Sequence, residues 1–146
     1  MSDLLPASAR VIRVVLADDQ PLQRQGHRMV LDSQPDIVVL GEASDGAQVL
    51  ALTRNEVTDV VLMDIQMPRV NGLVAAGHIS RDTEVLARGA APRIILLTAV
   101  EVTEETVDEA TDGVFAVLFK DTAPELLLAT IRAAAAAVPV ADDGAL

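Results

Sequence analysis

Short apolar runs alternate along this chain with longer stretches in which apolar residues recur at helical spacing. The runs are rich in Val, Ile and Leu and lie near 11–17, 37–43, 59–63, 93–97 and 114–119. Near-continuous apolar strands are expected where helices cover both faces of a parallel sheet. The pattern therefore predicts an α/β domain with five strands and five helices.

Three helices are predicted in the first two thirds of the chain, at 21–33, at 46–55 and from 72 to about 88. In the first of them, four small or apolar residues fall on one face, namely Leu22, Gly26, Met29 and Val30. The third is expected to end near Arg88, because Gly89 and Pro92 follow it as stop signals.

The last two predicted helices differ in how clearly the sequence marks them. The segment 103–111 is acidic, contains three Thr residues and offers only Val107 and Ala110 for burial, so it is a poor helix former. The segment from Thr122 to Glu125 has the form of a capping box, and apolar residues follow it at helical spacing. A well-defined fifth helix is therefore predicted after Thr122.

The length of the chain is that of one domain. Its 146 residues are enough to bury about two thirds of the unfolded surface around a single core. We expect an N-terminal extension at 1–10, a folded domain at 11–137 and an exposed tail or start of a linker at 138–146. The tail is inferred from Pro139, Gly144 and the loss of the helical pattern.

Composition removes several classes of function. Asp plus Glu number 22 and Lys plus Arg number 11, so the net charge of -11 disfavours direct binding of this chain to nucleic acid. The absence of Cys excludes disulfides and thiolate metal sites, and the near absence of aromatic residues removes a platform for stacking bases or a flavin ring. Without an apolar stretch long enough for a signal peptide or a membrane span, a cytoplasmic protein is expected.

Polar residues of complementary kinds follow four of the five predicted strands, namely Asp18-Asp19, Asp64, Thr98 and Lys120. The carboxyl ends of parallel strands meet at one edge of a sheet, where ligands of open α/β folds bind. Two carboxylates about 5 Å apart repel by roughly 3 kcal/mol at an effective dielectric constant near 20, so three of them require a cation. Mg²⁺ suits such a set of oxygen ligands, while an ammonium and a hydroxyl would contact phosphoryl oxygens.

Asp64 is the candidate nucleophile, because carboxylates form aspartyl phosphates in covalent catalysis. It follows the central apolar run and precedes a tight loop in which the backbone carbonyl of Gln66 is a further candidate metal ligand. A single Asp after a strand is as readily explained by the strand leaving the core. Four complementary positions at one sheet edge favour the phosphoryl and metal site.

These residues resemble the receiver domain of two-component response regulators, in particular the NarL/LuxR-type subfamily. The resemblance covers about residues 10–137. Its segments are V-V-L-A-D-D-Q-P-L at 14–22, P-D-I-V-V-L-G-E-A-S-D-G at 35–46, D-V-V-L-M-D-I-Q-M-P-R-V-N-G at 59–72, I-I-L-L-T-A at 94–99 and F-K-D at 119–121. In combination these segments are highly specific.

The resemblance implies a doubly wound (βα)5 fold of the flavodoxin-like or CheY-like kind with sheet order 2-1-3-4-5. It also implies that a histidine kinase passes a phosphoryl group to Asp64. The implied direct Mg²⁺ ligands are Asp19, Asp64 and the Gln66 carbonyl, with Asp18 acting through water, and the implied phosphoryl contacts are Thr98 and Lys120. No independent substrate would be turned over, since the domain would catalyse only its own phosphorylation and dephosphorylation.

The implied output is a changed surface at the fourth helix, fifth strand and fifth helix, reached by shifting a pre-existing equilibrium. A homodimer through that face or through the first and fifth helices is the implied partner besides the kinase. Subfamily members usually continue into a helix-turn-helix DNA-binding domain, which implies transcription regulation through a domain absent from this chain. The chain is then either a piece of a regulator or a stand-alone receiver.

Two positions near Lys120 depart from the family. Val117 stands where an aromatic residue usually switches position, and Ala116 replaces the usual Gly before it. Phe115 and Phe119 share the strand face of Val117 and are candidate substitutes for the missing aromatic. The departure leaves open an atypical receiver that acts independently of phosphorylation through protein or ligand binding.

A third reading is a small α/β phosphatase with an aspartyl nucleophile. Such an enzyme typically has a second carboxylate two residues after the nucleophile as general acid, and Gln66 occupies that position. The phosphatase is therefore the least favoured reading.

Overall fold

The computed structural model describes residues 10–99 and 113–137. The strands are β1 (Ile12–Ala17), β2 (Ile37–Ala43), β3 (Val60–Asp64), β4 (Arg93–Thr98) and β5 (Val114–Phe119). The helices within these residues are α1 (Pro21–Asp32), α2 (Gly46–Asn55), α3 (Gly72–Arg81), α4 (Thr83–Ala87) and α5 (Pro124–Ala136). No helix of the described part is long and apolar enough to cross a membrane.

The five strands form one parallel sheet in the order β2-β1-β3-β4-β5. From β1 the chain first adds β2 on one side. It then crosses back and adds β3, β4 and β5 in turn on the other side. The expected doubly wound α/β fold is confirmed. Each strand agrees with its predicted range to within one residue at either end.

The core lies in two layers, one on each face of the sheet. Alternate residues of the central strands point to opposite faces, so Val15 and Val61 lie in the cluster that contacts α2 and α3, while Leu16 and Leu62 lie in the cluster that contacts α5. All five residues of β3 are buried. Asp64, the last residue of β3, therefore starts from the best-protected strand of the sheet.

The predicted inner face of α1 is wrong. Leu22 is 83% exposed, Met29 is 68% exposed and Gly26 is also exposed, whereas Leu31 is fully buried. Leu31 is nine residues after Leu22, and nine steps of about 100° place it on the opposite side of a helix. Because Val30 contacts the core cluster of Leu31, it belongs to the buried side and not to the face of Leu22.

The predicted third helix is interrupted at Asp82. The backbone there is extended, with φ -72° and ψ 126°, and the Asp82 carboxylate accepts hydrogen bonds from the backbone N–H groups of Glu84 and Val85. The carboxylate also lies 2.6 Å from Nη2 of Arg54 on α2. One long helix is thus replaced by α3 and the short α4, because Asp82 caps a new helix.

The capping box predicted at Thr122 is also wrong, although the helix itself is present. The N-cap of α5 is Ala123, whose methyl side chain cannot accept a hydrogen bond, and the Thr122 N–H donates to the Phe119 carbonyl. Pro124 opens the helix, which is suited to its fixed φ. Burial of four residues holds α5 against the sheet, namely Leu127, Leu128, Ile131 and Ala134.

Several predictions concern parts of the chain outside the described residues. They are the fourth helix at 103–111, the extension before Arg10 and the tail at 138–146. The domain boundaries at 10 and 137 stay predictions.

Candidate functional site

The register of the sheet brings the polar strand ends together at one edge. Ala17 pairs with Met63, Asp64 pairs with Leu97, and Thr98 pairs with Phe119. Asp18, Asp64, Thr98 and Lys120 therefore follow one another across neighbouring strands. Asp18 and Thr98 are 1% exposed and Asp64 is 0% exposed, so the site is set into the end of the core.

Three carboxylates meet at this edge. Asp18, Asp19 and Asp64 each place one oxygen so that all three oxygens lie within 4.8 Å of one another. Asp18 and Asp64 are buried, whereas Asp19 is more open to solvent. The grouping inferred from the strand ends is thus present in the structure, with one side of the cluster accessible.

Backbone donors occupy one oxygen of each buried carboxylate. The Gln20 N–H donates to Asp18 Oδ1 and the Gln66 N–H donates to Asp64 Oδ1, both at 2.9 Å. The Oδ2 atoms of both carboxylates are also buried: Asp18 Oδ2 accepts no hydrogen bond from the described residues, and Asp64 Oδ2 lies 2.7 Å from the Lys120 ammonium. The unpaired oxygen of Asp18, the Asp64 oxygen that shares one ammonium and the Asp19 carboxylate form a donor set that suits a hard divalent cation.

Lys120 supplies the positive charge of the site. Its Nζ lies 2.7 Å from Asp64 Oδ2 and 3.8 Å from Asp18 Oδ2. The Lys120 backbone N–H donates to the Thr98 carbonyl at 2.8 Å, which ties the ends of β5 and β4 together. Lys120 is the only lysine in the chain and its side chain is 9% exposed, so its ammonium faces the carboxylates from a largely buried position.

Opposing effects act on the pKa of Asp64 in the absence of a metal. Burial raises the pKa of Asp64 above its ordinary value of 3.8, and the negative charge of Asp18 raises it further. The hydrogen bonds from Lys120 and from the Gln66 N–H lower this pKa, but burial outweighs them. A second cation at the carboxylates would shift the balance towards the ionised, nucleophilic form.

The loop after Asp64 is closely packed against the strand it leaves. The Gly72 N–H donates to the Ile65 carbonyl at 2.7 Å, and the Ile65 N–H donates to the Leu97 carbonyl at 2.9 Å. A Cβ at Gly72 would lie 2.4 Å from the Asp64 carbonyl oxygen. The backbone on both sides of Asp64 is therefore held in place, which also fixes the Gln66 N–H that contacts Asp64.

Two residues of α1 belong to the site although the sequence did not indicate them. Gln23 Oε1 accepts a hydrogen bond from Lys120 Nζ at 2.8 Å. Arg24 donates from Nη1 to the Asp18 carbonyl at 2.6 Å and from Nε to Glu42 at 2.9 Å. The one available signal was their position in the first turn of a helix that starts directly after the Asp pair.

The three β5 residues considered for the expected aromatic switch differ in burial. Val117 is half-buried and packs on the core cluster beneath α3. Phe115 is 39% exposed and Phe119 is 48% exposed. Neither phenylalanine takes a buried place equivalent to the missing aromatic in this structure.

Comparison with known protein families gives one match over most of the chain. The profile of the response regulator receiver domain matches residues 14–132. The transcriptional regulatory protein YxjL of Bacillus subtilis is 43% identical over 124 residues, which are 85% of this chain and 54% of YxjL. The nitrate/nitrite response regulator NarL of Escherichia coli is 32% identical over 136 residues, which are 93% of this chain and 58% of NarL. The chain thus spans just over half the length of these relatives.

Solved structures show the same fold over nearly whole domains. A NarL signal receiver domain from Mycobacterium tuberculosis superimposes with a TM-score of 0.74 at 30% identity, covering 88% of this chain and 99% of that domain. The response regulator domain of Thermotoga maritima CheB gives a TM-score of 0.76 at 29% identity, covering 89% of this chain and 100% of that domain. The described fold is therefore that of isolated domains of this kind.

Proposed function

Since the chain belongs to the response regulator receiver family and is of the NarL/LuxR type, we propose that it accepts a phosphoryl group from a histidine kinase on Asp64. Domains of this family transmit signals and are not generally enzymes acting on a separate substrate. The observation that carries the proposal is the buried Asp64 Oδ2, which lies 2.7 Å from Lys120 Nζ in a cluster of three carboxylates.

The two oxygens of Asp64 have different roles in the proposed transfer. Oδ1 accepts the Gln66 N–H, so Oδ2 is the oxygen that attacks phosphorus. The Oδ2–P bond forms while the N–P bond of a kinase phosphohistidine breaks, and the imidazole leaves with the bonding electron pair. Lys120 and Thr98 would then contact the phosphoryl oxygens, whose charge replaces that of the carboxylate as the partner of the ammonium.

The carboxylate set fits Mg²⁺, which we propose as the cofactor. Asp19, Asp64 and the Gln66 backbone carbonyl would be direct ligands, and Asp18 would act through water. Mg²⁺ bound there would supply positive charge that offsets the carboxylates and the incoming phosphoryl group. The buried Asp18 Oδ2, which accepts no hydrogen bond from the described residues, and the approach of three carboxylate oxygens to within 4.8 Å of one another support this assignment.

We further propose that phosphorylation changes a surface used for dimerisation or docking. The face formed by the predicted fourth helix, β5 and α5 and the face formed by α1 and α5 are the two candidates for a homodimer. YxjL is a transcriptional regulatory protein and NarL a response regulator, and this chain matches 54% and 58% of their lengths. We therefore expect the output to be transcription regulation through a C-terminal helix-turn-helix domain that is not in this chain, and no direct contact of this chain with DNA.

An atypical receiver that works without phosphorylation is the second candidate. It is favoured by the half-buried Val117 and by the exposure of Phe115 and Phe119, because no buried aromatic links the site to the outer face of β5 among the described residues. Such a receiver would act through a protein or ligand contact alone.

Intact mass after incubation with acetyl phosphate tests the proposal. One phosphoryl adduct is expected for the wild type with Mg²⁺, and none for Asp64→Ala or with EDTA. Asp59→Ala is a matched control, because Asp59 lies at the opposite end of β3 and accepts the Arg13 N–H far from the site. An adduct that persists in Asp64→Ala, or a wild type that forms none, would favour the second candidate. Size-exclusion chromatography of the same samples shows whether the adduct changes the oligomeric state.

A further inference from the structure

We propose that Gln23 is a positioning residue for Lys120, holding the ammonium where it can pass from Asp64 to an incoming phosphoryl group. The proposal rests on the phosphoryl-accepting function proposed above. Its basis is the hydrogen bond of 2.8 Å from Lys120 Nζ to Gln23 Oε1, which joins residues 97 positions apart.

The described residues offer the ammonium few close acceptors. An ammonium carries three N–H donors, and the Lys120 side chain is 9% exposed, so protein acceptors hold much of its position. Asp64 Oδ2 accepts at 2.7 Å and Gln23 Oε1 at 2.8 Å, whereas Asp18 Oδ2 lies at 3.8 Å. Gln23 is thus one of two close acceptors that the described residues offer to Lys120.

The contact of Lys120 with Asp64 blocks the attacking oxygen, whereas its contact with Gln23 leaves that oxygen free. The Asp64 oxygen that pairs with Lys120 is Oδ2, the oxygen proposed to attack phosphorus, so the ammonium must move off it before the O–P bond forms. Gln23 holds the same ammonium from the side of α1 during that movement. Without Gln23, the ammonium would lose its neutral protein acceptor and would be drawn towards the carboxylates.

A neutral acceptor suits this position better than a charged one. Three carboxylates already meet at the site, and a fourth anion next to Lys120 would compete with the phosphoryl group for its charge. The amide of Gln23 accepts a hydrogen bond without adding negative charge. Gln23 can therefore hold the ammonium and still release it towards a phosphoryl oxygen.

The first turn of α1 is fixed in a way that places Gln23. The neighbouring Arg24 donates to the Asp18 carbonyl and pairs with Glu42 of β2, and Glu42 also lies 2.8 Å from Arg28. These contacts tie α1 to the strand ends on either side of the site. Gln23 and Lys120 line one open cavity of about 570 Å³ together with Ala99, Phe119 and Asp121.

The test compares Gln23→Met with Gln25→Met. Met matches Gln in length and removes the acceptor, and Gln25 is an exposed residue of the same helix. With acetyl phosphate and Mg²⁺, Gln23→Met is expected to phosphorylate about tenfold more slowly than the wild type, the order of effect of one hydrogen bond to a charged group. Gln25→Met is expected to keep the wild-type rate.

A second readout needs no phosphorylation. Because Lys120 is the only lysine, protein labelled with ¹³C,¹⁵N-lysine gives one side-chain amine signal in NMR spectra. Gln23→Met is expected to shift this signal and speed the exchange of its protons with water. Gln23→Glu, which keeps an acceptor oxygen, is expected to restore slow exchange, whereas a purely structural role for Gln23 would not produce this rescue.

The outcomes separate this proposal from the function on which it rests. An unchanged lysine signal together with a wild-type rate in Gln23→Met would overturn it, as would equal slowing in Gln25→Met. If the wild type forms no adduct that depends on Asp64, the phosphoryl-accepting function fails and this proposal fails with it. A lysine signal that Gln23→Met alone shifts, with slowed labelling, would support it.

Discussion

At the scale of single residues, Gly72 shows how little room the backbone beyond Asp64 has. A Cβ there would meet three backbone atoms, the Asp64 carbonyl oxygen at 2.4 Å, the Ile65 Cα at 2.9 Å and the Asp64 carbonyl carbon at 3.1 Å, and backbone cannot yield as a flexible side chain does. We expect Gly72→Ala to lower the free energy of unfolding by about 1–3 kcal/mol, the usual range for overpacking. Urea unfolding followed by far-UV circular dichroism measures this, since the chain has no Trp.

Gly26→Ala is the matched control, because Gly26 lies within α1 and a Cβ there would have no atom of the described residues within 4 Å. Ala is a better helix former than Gly by roughly 0.5–1 kcal/mol, so this variant is expected to be more stable than the wild type. Destabilisation by both substitutions, or by neither, would show that the close approach at Gly72 does not decide the outcome. Only Gly72→Ala is expected also to reduce labelling of Asp64.

The same scale shows which site residues the sequence could reveal. Asp18, Asp19 and Asp64 were predictable together because each follows a run that reads as a strand, and parallel strands end at one edge. Gln23 was not predictable in this way, since its contact with Lys120 depends on the direction of α1 across the sheet. That direction is a property of packing, and no spacing in the chain encodes it.

At the scale of elements, the break between α3 and α4 predicts a response to acid. The hydrogen bond from Arg54 lowers the pKa of Asp82 from 3.8 to about 2. A carboxylate with a lowered pKa in the folded state stabilises the fold above its unfolded-state value and loses that contribution as pH falls through the folded-state value. Asp82→Asn keeps the cap and removes the charge, so it should be less stable than the wild type near neutral pH.

The difference in the free energy of unfolding between the wild type and Asp82→Asn is expected to shrink as pH falls from 3.8 towards about 2. This range is set by the unfolded-state and folded-state pKa values of Asp82. Urea unfolding at a series of pH values measures this difference. Arg54→Met should produce at least as large a loss, because Arg54 also pairs with Glu84 at 3.1 Å. The double variant should lose little more than Arg54→Met, because both substitutions remove the Arg54–Asp82 pair. A difference between wild type and Asp82→Asn that is independent of pH would contradict the role of the charge.

The helices also show where periodic patterns mislead. The apolar residues of α1 recur at helical spacing, yet Leu22 and Met29 are exposed. The side of α1 that packs against the sheet is the one that carries Leu31 and Val30. Spacing identifies residues that share a face but not which face is buried. The start of α5 had a similar ambiguity, since Thr122 and Glu125 fit a capping pattern while Pro124 and burial of Leu127 determine the helix.

At the scale of the whole molecule, the parallel sheet was readable from five apolar runs, whereas the strand order came from the resemblance to a family. Apolar runs indicate only that each strand is covered on both faces of the sheet. The strand order depends on the direction of each crossover connection. Those directions are defined once α1 and α5 pack on one face of the sheet and α2 and α3 on the other. The site follows from this order, because Asp18 and Asp64 are neighbours only if β1 lies beside β3.

A net charge of -11 and three clustered carboxylates together predict how the whole protein responds to Mg²⁺. A ligand that binds only the folded state stabilises it by about 2.7 kcal/mol at one hundred times its dissociation constant. We therefore expect the midpoint of thermal unfolding to rise with Mg²⁺.

Sodium chloride at matched ionic strength is the control, because salt alone relieves repulsion in an acidic protein. Asp19→Asn should remove most of the Mg²⁺-specific rise, since Asp19 is the more open carboxylate of the cluster and a proposed direct ligand. A rise that sodium chloride reproduces in full, or one that Asp19→Asn retains, would place the stabilising cations elsewhere on the acidic surface.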